Sequence, residues 1–261
     1  MDRRNFLKTG GIALLGSLAT GPAMALTTPG ALGGEGADKK AAVALAMNHF
    51  GVSEADLKKV LAAALEKGGD YADLFFEHTI SNSIRLMDGA VNNSYSNIDY
   101  GVGVRVLIGD QSGYAYVENI TVEDMLKAAR TAARIASANK GNKPLNLTEK
   151  ELKKNYYTVA SPWEEVSLKD KMPYLQKLND RIFALDKRVH KVQASQSDTT
   201  SHIFFCNSEG VMFYDYRPMV TLGAVCIMEE DGKTENGYAA RAYRRGFDFL
   251  SDEVVDVIAR E

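Results

Sequence analysis

The sequence has little of what marks several large classes of protein. Only 2 of its 261 residues are cysteine, which is too few for a disulfide framework. Positive charge does not predominate, since 31 Lys and Arg stand against 34 Asp and Glu for a formal net charge of −3. A chain that neutralises phosphate backbones is usually basic, so nucleic acid is not an expected partner. The apolar and charged fractions, 45% and 25%, are ordinary for a globular protein and exclude a wholly disordered chain.

The common catalytic motifs are also missing. No two histidines have the helical spacing of a zinc site; the four are His49, His78, His190 and His202. In an extended segment His202 and Cys206 lie about 13 Å apart, too far to share one ion. The run 207–210 lacks the glycine that opens a nucleophile elbow, and 101–103 lacks the third glycine of a dinucleotide fingerprint. We therefore expect no catalytic, cofactor-binding or metal-binding residue in this chain.

Structural roles suit the remaining reactive side chains better than catalytic ones. His78 lies among apolar neighbours and is predicted to be a hydrogen-bonded core residue. The two cysteines, Cys206 and Cys226, are predicted to be buried thiols, although pairing in an oxidising compartment stays open. Glycine alternating with valine at 101–104 indicates a face where another group packs closely. Four tyrosines are predicted to pack on strands: Tyr95, Tyr100, Tyr114 and Tyr116. Three arginines are predicted either to bind a carboxylate or phosphate or to form a charged, solvated sheet edge: Arg241, Arg244 and Arg245.

The N-terminus has the three parts of an export signal. Arg3 and Arg4 form a paired-arginine region, a Gly/Ala-rich apolar stretch follows, and residues 23–25 read Ala-Met-Ala. The apolar stretch is shorter than the roughly 20 residues that span a bilayer. Residues 1–25 are therefore predicted to be a twin-arginine-type signal peptide, which implies a periplasmic protein without a stable membrane span after its removal. Residues 26–51 are predicted to be a linker and a first helix.

The next stretch, 52–141, predicts a unit of helix, three or four antiparallel strands, and helix. Ser53 and Asp56 form a capping box before an apolar helical stripe. The period then changes to two, with turns at Asp88-Gly89 and 109–113. Thr121 caps a second, alanine-rich helix. A polar, Lys-rich linker follows over 142–162.

The final stretch, 163–261, predicts a second unit of similar design. Ser167 caps its first helix, and long strands joined by tight turns follow as a meander, including separate strands at 189–197 and 202–207. Ser251 starts a last helix, whose apolar residues Val254, Val255 and Ile258 are expected to need partners from a further domain. The fold class is therefore α+β, with two consecutive units of antiparallel sheet and flanking helices.

These motifs, taken in order, resemble the TldD/PmbA family. The first unit carries the resemblance through Tyr71 to Glu77, Asp88-Gly89, Gly101 to Leu107 and the exit at Gly113-Tyr114-Ala115. The second carries it through 207–210, Asp231-Gly232 and 246–249. The first unit is similar to the family's N-terminal domain and the second to its central domain, and together they cover about Val52 to Glu261.

The resemblance implies a metallopeptidase that cleaves unstructured peptides and acts as a homo- or hetero-dimer with a related subunit. Members were once described as modulators of DNA gyrase. The zinc motif of the family belongs to a C-terminal domain, and the sequence ends before it, so no site residue carries over to this chain. We expect an N-terminal portion of an exported peptidase, inactive alone, without zinc of its own. The alternative is a complete, noncatalytic periplasmic binding or partner-subunit module.

Overall fold

A computed structural model describes residues 39–136, 148–149, 157 and 159–261. The predicted signal peptide and most of both predicted linkers lie outside these residues. The helices are α1 (Lys39–Phe50), α2 (Glu54–Leu65), α3 (Val122–Ile135), α4 (Leu168–Leu185) and α5 (Asp252–Arg260), with short 3-10 turns at Trp163–Glu165 and Phe247–Phe249. The strands are β1 (Tyr71–Met87), β2 (Ala90–Ile108), β3 (Gln111–Val117), β4 (Thr148–Glu149), β5 (Val189–Asn207), β6 (Val211–Glu230) and β7 (Lys233–Tyr243).

The strands form one sheet in the order β3-β2-β1-β5-β6-β4, and β7 also pairs with β6. All pairs are antiparallel except the two-residue pairing of β4 with β6. The predicted α+β class is confirmed. The two predicted units share this sheet, because β1 pairs with β5 along nearly its whole length, from Asp73 opposite Asn207 to Met87 opposite Gln193.

The capped helix starts predicted from sequence are confirmed. The Ser53 hydroxyl accepts a hydrogen bond from the backbone N–H of Asp56, whose carboxylate accepts from the N–H of Ser53 in return. Ser167 begins α4 with the same kind of capping box. Thr121 and Ser251 each accept one backbone hydrogen bond at the starts of α3 and α5. Such caps satisfy amide groups that would otherwise lack a partner in the first helical turn.

The two strands predicted at 189–197 and 202–207 are one continuous strand, β5, so that division was wrong. The polar run between them was interpreted as a break. In the structure Gln196, Asp198 and Thr200 are buried on β5. Asp198 accepts hydrogen bonds from Lys171 of α4, Asn82 of β1 and Gln196. A buried carboxylate is stable where such partners satisfy it, and two of the three, Lys171 and Asn82, come from elements distant in sequence.

Two hydrophobic clusters lie on the same side of the sheet. The first packs α1, α2 and α3 on the ends of β1 and β2 through residues such as Leu57, Leu74 and Met125. The second packs α4 and α5 on β5 and β6 through residues such as Trp163 and Leu178. Within the described ranges, no helix is both long and apolar enough to cross a membrane.

The apolar face of α5 is covered by the chain's own residues. Val255 and Ile258 are 0% and 2% exposed, within the cluster that contains Phe249 and Leu250, and Val254 packs against it. Ion pairs join α4 to α5 through Lys177 with Asp252 and Arg181 with Asp256. The expectation that these side chains need partners from a further domain was wrong, because α4 and the turn before α5 supply the contacts.

Candidate functional site

A row of aromatic residues crosses the face of the sheet opposite the helices. Phe75 of β1 lies opposite Gly103 of β2, which lies opposite Tyr116 of β3. On its other side Phe75 lies opposite Phe205, whose ring stacks on Phe213 with centroids 5.0 Å apart. Because alternate residues of a strand point to opposite faces, these side chains stand on one surface. Gly103 interrupts the row because it has no side chain.

The glycines of β2 are required by close contacts. A β-carbon at Gly103 would lie 2.5 Å from the hydroxyl oxygen of Tyr114, and one at Gly101 would lie 2.5 Å from the carbonyl oxygen of Val117. Real side chains do not approach so closely, so any larger residue would displace β3 or the Tyr114 ring. The close packing predicted from the glycine–valine alternation is therefore confirmed.

An open groove of about 410 Å³ lies at these glycines, where β3 ends. Its aromatic walls include Phe75, Tyr114 and Tyr116, which are 37%, 58% and 64% exposed. The predicted packing of the tyrosines is realised only in part, since Tyr114 leans over Gly103 while its other side and most of Tyr116 remain open. An aromatic, partly exposed groove of this kind is a typical place for a ligand side chain.

The charged residues that line the groove are all acidic. Glu77, Asp99 and Glu118 contribute carboxylates, and the lining holds no Lys or Arg. Thr79 donates a 2.6 Å hydrogen bond to Glu77. Nearby Arg105 is held by Asp73 through bonds of 2.6 and 2.9 Å. The surface is therefore aromatic with negative charge at one end.

The groove continues into a strand edge. Between Ala90 and Tyr100, β2 pairs with β1 on one side, and β3 pairs only with the later part, from Val102 to Ile108. On the other side of 90–100, the part of the chain that the structure describes places no strand, and every residue there is exposed. Unpaired N–H and C=O groups on such an edge accept an added strand.

Three of the four histidines meet on the helix side of the sheet. His49 of α1 and His78 of β1 share a 2.8 Å hydrogen bond between Nε2 and Nδ1. His202 of β5 lies opposite His78 and stacks on His49 with ring centroids 4.8 Å apart. The sequence showed these residues as scattered. No local spacing signalled the cluster, because the pairing of β1 with β5 and the docking of α1 create it.

His202 connects the cluster to three further polar side chains. Its Nδ1 lies 2.7 Å from the hydroxyl of Tyr214, and its Nε2 lies 2.7 Å from Glu164 Oε1. The hydroxyl of Tyr216 donates to the other oxygen of Glu164 at 3.0 Å. His78 was predicted to be a hydrogen-bonded core residue; its bond to His49 confirms the hydrogen bond, but His78 is only half-buried, so its placement in the core was wrong.

The protonation of the cluster follows from burial and mutual charge. Burial, together with the charges of His202 and His78, lowers the pKa of His49 to about 4. Burial and the charge of His202 lower the pKa of His78 as well. Burial alone would raise the pKa of Glu164, but the hydrogen bond and charge of His202 outweigh it and hold that pKa below its usual range. His49 and His78 are therefore neutral at pH 7, and the carboxylate of Glu164 is ionised.

The histidine cluster does not fit a metal ion. Both nitrogens of His202 already have partners, and the bond between His49 and His78 uses one nitrogen of each. The rings of His49 and His202 stack, whereas ligands to one ion converge their nitrogens at about 2 Å. Across residues 39–136, 148–149, 157 and 159–261, no group of three or more His, Cys, Asp or Glu has metal-site geometry.

The cysteines are separate, free thiols. Cys206 lies opposite Met212 near one end of the β5–β6 hairpin, and Cys226 lies opposite Val192 near the other. At about 3.3 Å per residue the positions differ by roughly 46 Å along β6, so they do not pair. Burial strongly raises the pKa of the Cys206 thiol, which makes it unreactive.

The arginine cluster is engaged within the chain. Arg241 pairs with Glu261 and Arg245 with Asp248, and Arg244 lies over the ring of Tyr157 at 5.2 Å. These contacts favour the interpretation as a charged sheet edge over an anion site, because the guanidinium groups already have partners.

Comparison with known families agrees with this architecture. Residues 72–136 match the family model for domain 1 of the PmbA/TldA metallopeptidases, and residues 161–261 match the family model for their central domain. The chain belongs to the PmbA/TldD metallopeptidase family. The metalloprotease TldD homologue of Haemophilus influenzae is 32% identical over 191 residues, which are 72% of this chain and 39% of that protein. A metalloprotease TldD homologue of Buchnera aphidicola subsp. Acyrthosiphon pisum is 26% identical over 207 residues, which are 79% of this chain and 43% of that protein.

Solved structures show the same fold. A protein described as a modulator of DNA gyrase from Thermotoga maritima superposes with a TM-score of 0.62 at 21% identity, over 80% of this chain and 47% of that one. TldE from Thermococcus kodakarensis superposes with a TM-score of 0.55 at 15% identity, over 78% of this chain and 46% of that one. The chain spans about two fifths of the length of the curated relatives it matches, and under half of these structures.

Proposed function

We propose that this chain supplies the first and central domains of an exported TldD-like zinc metallopeptidase that acts on unstructured peptides. Its part is the scaffold, one wall of the peptide cleft and contacts to a related subunit. The proposal assigns it no catalytic residue, and it places zinc outside the two matched domains, because the three histidines that meet here already bond one another and their neighbours.

The observation that carries the proposal is the aromatic groove beside the open edge of β2. An extended peptide that pairs along residues 90–100 would place alternate side chains over the lining residues Ile98 to Gly101. Backbone pairing is independent of peptide sequence, which suits a protein that accepts unstructured chains, and a groove then adds selectivity.

Binding of an unstructured fluorescent peptide to the full chain tests this role. We expect Tyr116→Ala to weaken binding at least several-fold, because it removes an exposed groove wall. Tyr238→Ala is the matched control, since Tyr238 is a 73% exposed tyrosine of β7 outside the groove lining. A peptide N-methylated at alternate residues should bind more weakly, because it cannot complete a strand. Equal effects of both tyrosine variants, or equal binding of the N-methylated peptide, would contradict the proposal.

A second candidate is a noncatalytic binding or partner-subunit module. It is favoured by one observation: a solved structure with this fold is called TldE, whereas sequence relatives are called metalloprotease TldD homologues, so similar chains carry two different names. Sequencing the genomic DNA downstream of the codon for Glu261 separates the candidates. An in-frame continuation with paired histidines and a glutamate supports the peptidase, whereas a stop codon followed by unrelated sequence supports the module.

A further inference from the structure

We infer that the groove between β1 and β3 is a subsite for a positively charged peptide side chain, that of Lys or Arg. The inference rests on the proposed function, since it names the kind of residue that the bound peptide presents there. It follows from the shape of the groove, the chemistry of its walls and the sign of its charge.

The groove opens beside the ring of Tyr114, which itself leans over Gly103, and its open volume of about 410 Å³ holds a side chain. Gly101 and Gly103 form the base of the groove and project nothing into it. Tyr114 and Tyr116 stand on the β3 side, and Phe75 stands on the β1 side. Gly103 pairs with Phe75 of β1 and Tyr116 of β3, so its position relative to these two walls is held by the strand register, whereas Gly101 pairs with β1 alone.

The walls favour a cation over other side chains. The face of an aromatic ring carries negative electrostatic potential and attracts ammonium and guanidinium groups. Four aromatic residues with exposed surface line the groove, and two of them, Tyr114 and Tyr116, are more than half exposed. A long Lys or Arg side chain also buries its methylene groups against such rings while its charged end reaches beyond them.

The charge at the end of the groove is of the matching sign. Glu77, Asp99 and Glu118 line it without a basic residue among them. The nearby guanidinium of Arg105 already has a partner in the buried carboxylate of Asp73, which is 6% exposed. A ligand cation would therefore meet uncompensated negative charge, and an acidic side chain would be repelled.

The occupant is a peptide side chain because the groove opens onto the strand edge. Ile98, Asp99 and Tyr100 belong both to the groove lining and to the exposed stretch of β2. A strand paired with that stretch passes the groove and delivers one side chain into it. A small free ammonium compound would gain only the groove contacts, without the backbone hydrogen bonds.

Three otherwise identical unstructured peptides test the inference, with Arg, its neutral isostere citrulline, or Glu at one central position. We expect the full chain to bind the Arg peptide at least tenfold more tightly than the citrulline peptide at low ionic strength, measured by fluorescence anisotropy. The Glu peptide should bind most weakly. The preference should shrink as salt is added, because screening weakens exposed charge pairs.

The double variant Asp99→Asn, Glu118→Gln should reduce the Arg-to-citrulline ratio to within about twofold of unity. The control is Glu229→Gln, Glu235→Gln, which removes the same charge from β6 and β7. Equal binding of all three peptides overturns the inference and leaves the proposed function intact. A preference for Arg that survives the groove variant overturns it as well, because the cation is then bound elsewhere. Failure to bind any peptide overturns both.

Discussion

The imidazoles of His49 and His78 share a 2.8 Å hydrogen bond although 29 positions separate them in sequence. The bond joins α1 to the central strand β1, next to the ring of His202. It needs one nitrogen to donate and the other to accept, so it cannot persist when both rings are protonated. The contact between α1 and the sheet is therefore sensitive to pH.

Acidification should destabilise the folded chain through His49. Its pKa falls from the ordinary 6.5 to about 4, first through burial and then through the charges of His202 and His78. The unfolded chain therefore binds more protons between pH 6.5 and 4, and the free energy of unfolding decreases as pH is lowered through that window. Because His49 is only half-buried, we expect solvent screening to limit the loss to about 1–2 kcal/mol. Urea unfolding at pH 7.5 and pH 4.5 measures it.

The variant His49→Gln should reduce this difference between the two pH values. His190→Gln is the control, since the side chain of His190 is 62% exposed and lies outside the cluster. Glu164 adds a loss mainly at lower pH, because a carboxylate with a lowered pKa stabilises the fold above about 4.5 and loses that contribution as pH falls further. An unchanged pH dependence in His49→Gln would show that another group controls it.

Removal of one partner from the buried ion pair between α4 and β5 should strongly destabilise the fold. Lys171 and Asp198 are 5% and 0% exposed and lie 2.5 Å apart. Removing one partner leaves a buried charge without compensation, so Asp198→Ala should lower the free energy of unfolding by about 3–5 kcal/mol. Denaturant unfolding followed by circular dichroism measures this.

The double variant Lys171→Met, Asp198→Leu should lose less than Asp198→Ala, because it leaves no buried charge. The control is Asp186→Ala, which removes a carboxylate from a solvent-screened pair with Arg188 and should destabilise the fold far less than Asp198→Ala. If Asp198→Ala is as mild as that control, water reaches the pair and the network is not a stabilising one.

Export should depend on the paired arginines. Replacement of Arg3 and Arg4 by lysine preserves charge but removes the pair that the twin-arginine pathway reads. We expect unprocessed precursor to accumulate in the cytoplasm, detected by fractionation and immunoblotting. N-terminal sequencing of the processed form should begin near Leu26. Replacement of Lys8 by arginine is the control and should be exported normally. Normal export of the Arg3→Lys, Arg4→Lys variant would contradict a twin-arginine signal.

Zinc should not bind tightly to the histidine cluster. A zinc ion would have to displace the bond between His49 and His78 and those of His202 to Tyr214 and Glu164. Calorimetric titration of the chain should therefore show no site of the affinity typical of structural zinc. One tight site per chain, lost in His78→Gln, would contradict this and identify the cluster as a metal centre.

Local sequence signals placed the helix starts and the turns. Ser53, Thr121, Ser167 and Ser251 predicted four helix starts because a cap depends only on residues within one turn of it. The glycine at 103 indicated close packing on β2, because glycine weakens the interior of a strand and is typical of sites where another group approaches the backbone closely. The order of these signals was also enough to indicate the family.

Contacts between distant residues were beyond such signals. The polar run in β5 was interpreted as a break because its partners, Lys171 and Asn82, lie 27 and 116 positions away from Asp198. The last helix was expected to lack partners because α4, which covers it, is likewise far away in sequence. Single-sequence patterns describe the face that a residue presents and leave open what packs on that face.

By itself, the sequence determined the α+β class, the capped helices, the tight turns and the family, because each depends on neighbours along the chain or on the order of motifs. Only the tertiary structure decided that both units share one sheet, that three histidines meet, and that acidic and aromatic side chains of three strands surround a floor of two glycines. Strand register brings Phe75 opposite Gly103 and His78 opposite His202. Register is a property of paired strands, and it is set by which faces bury their apolar residues together.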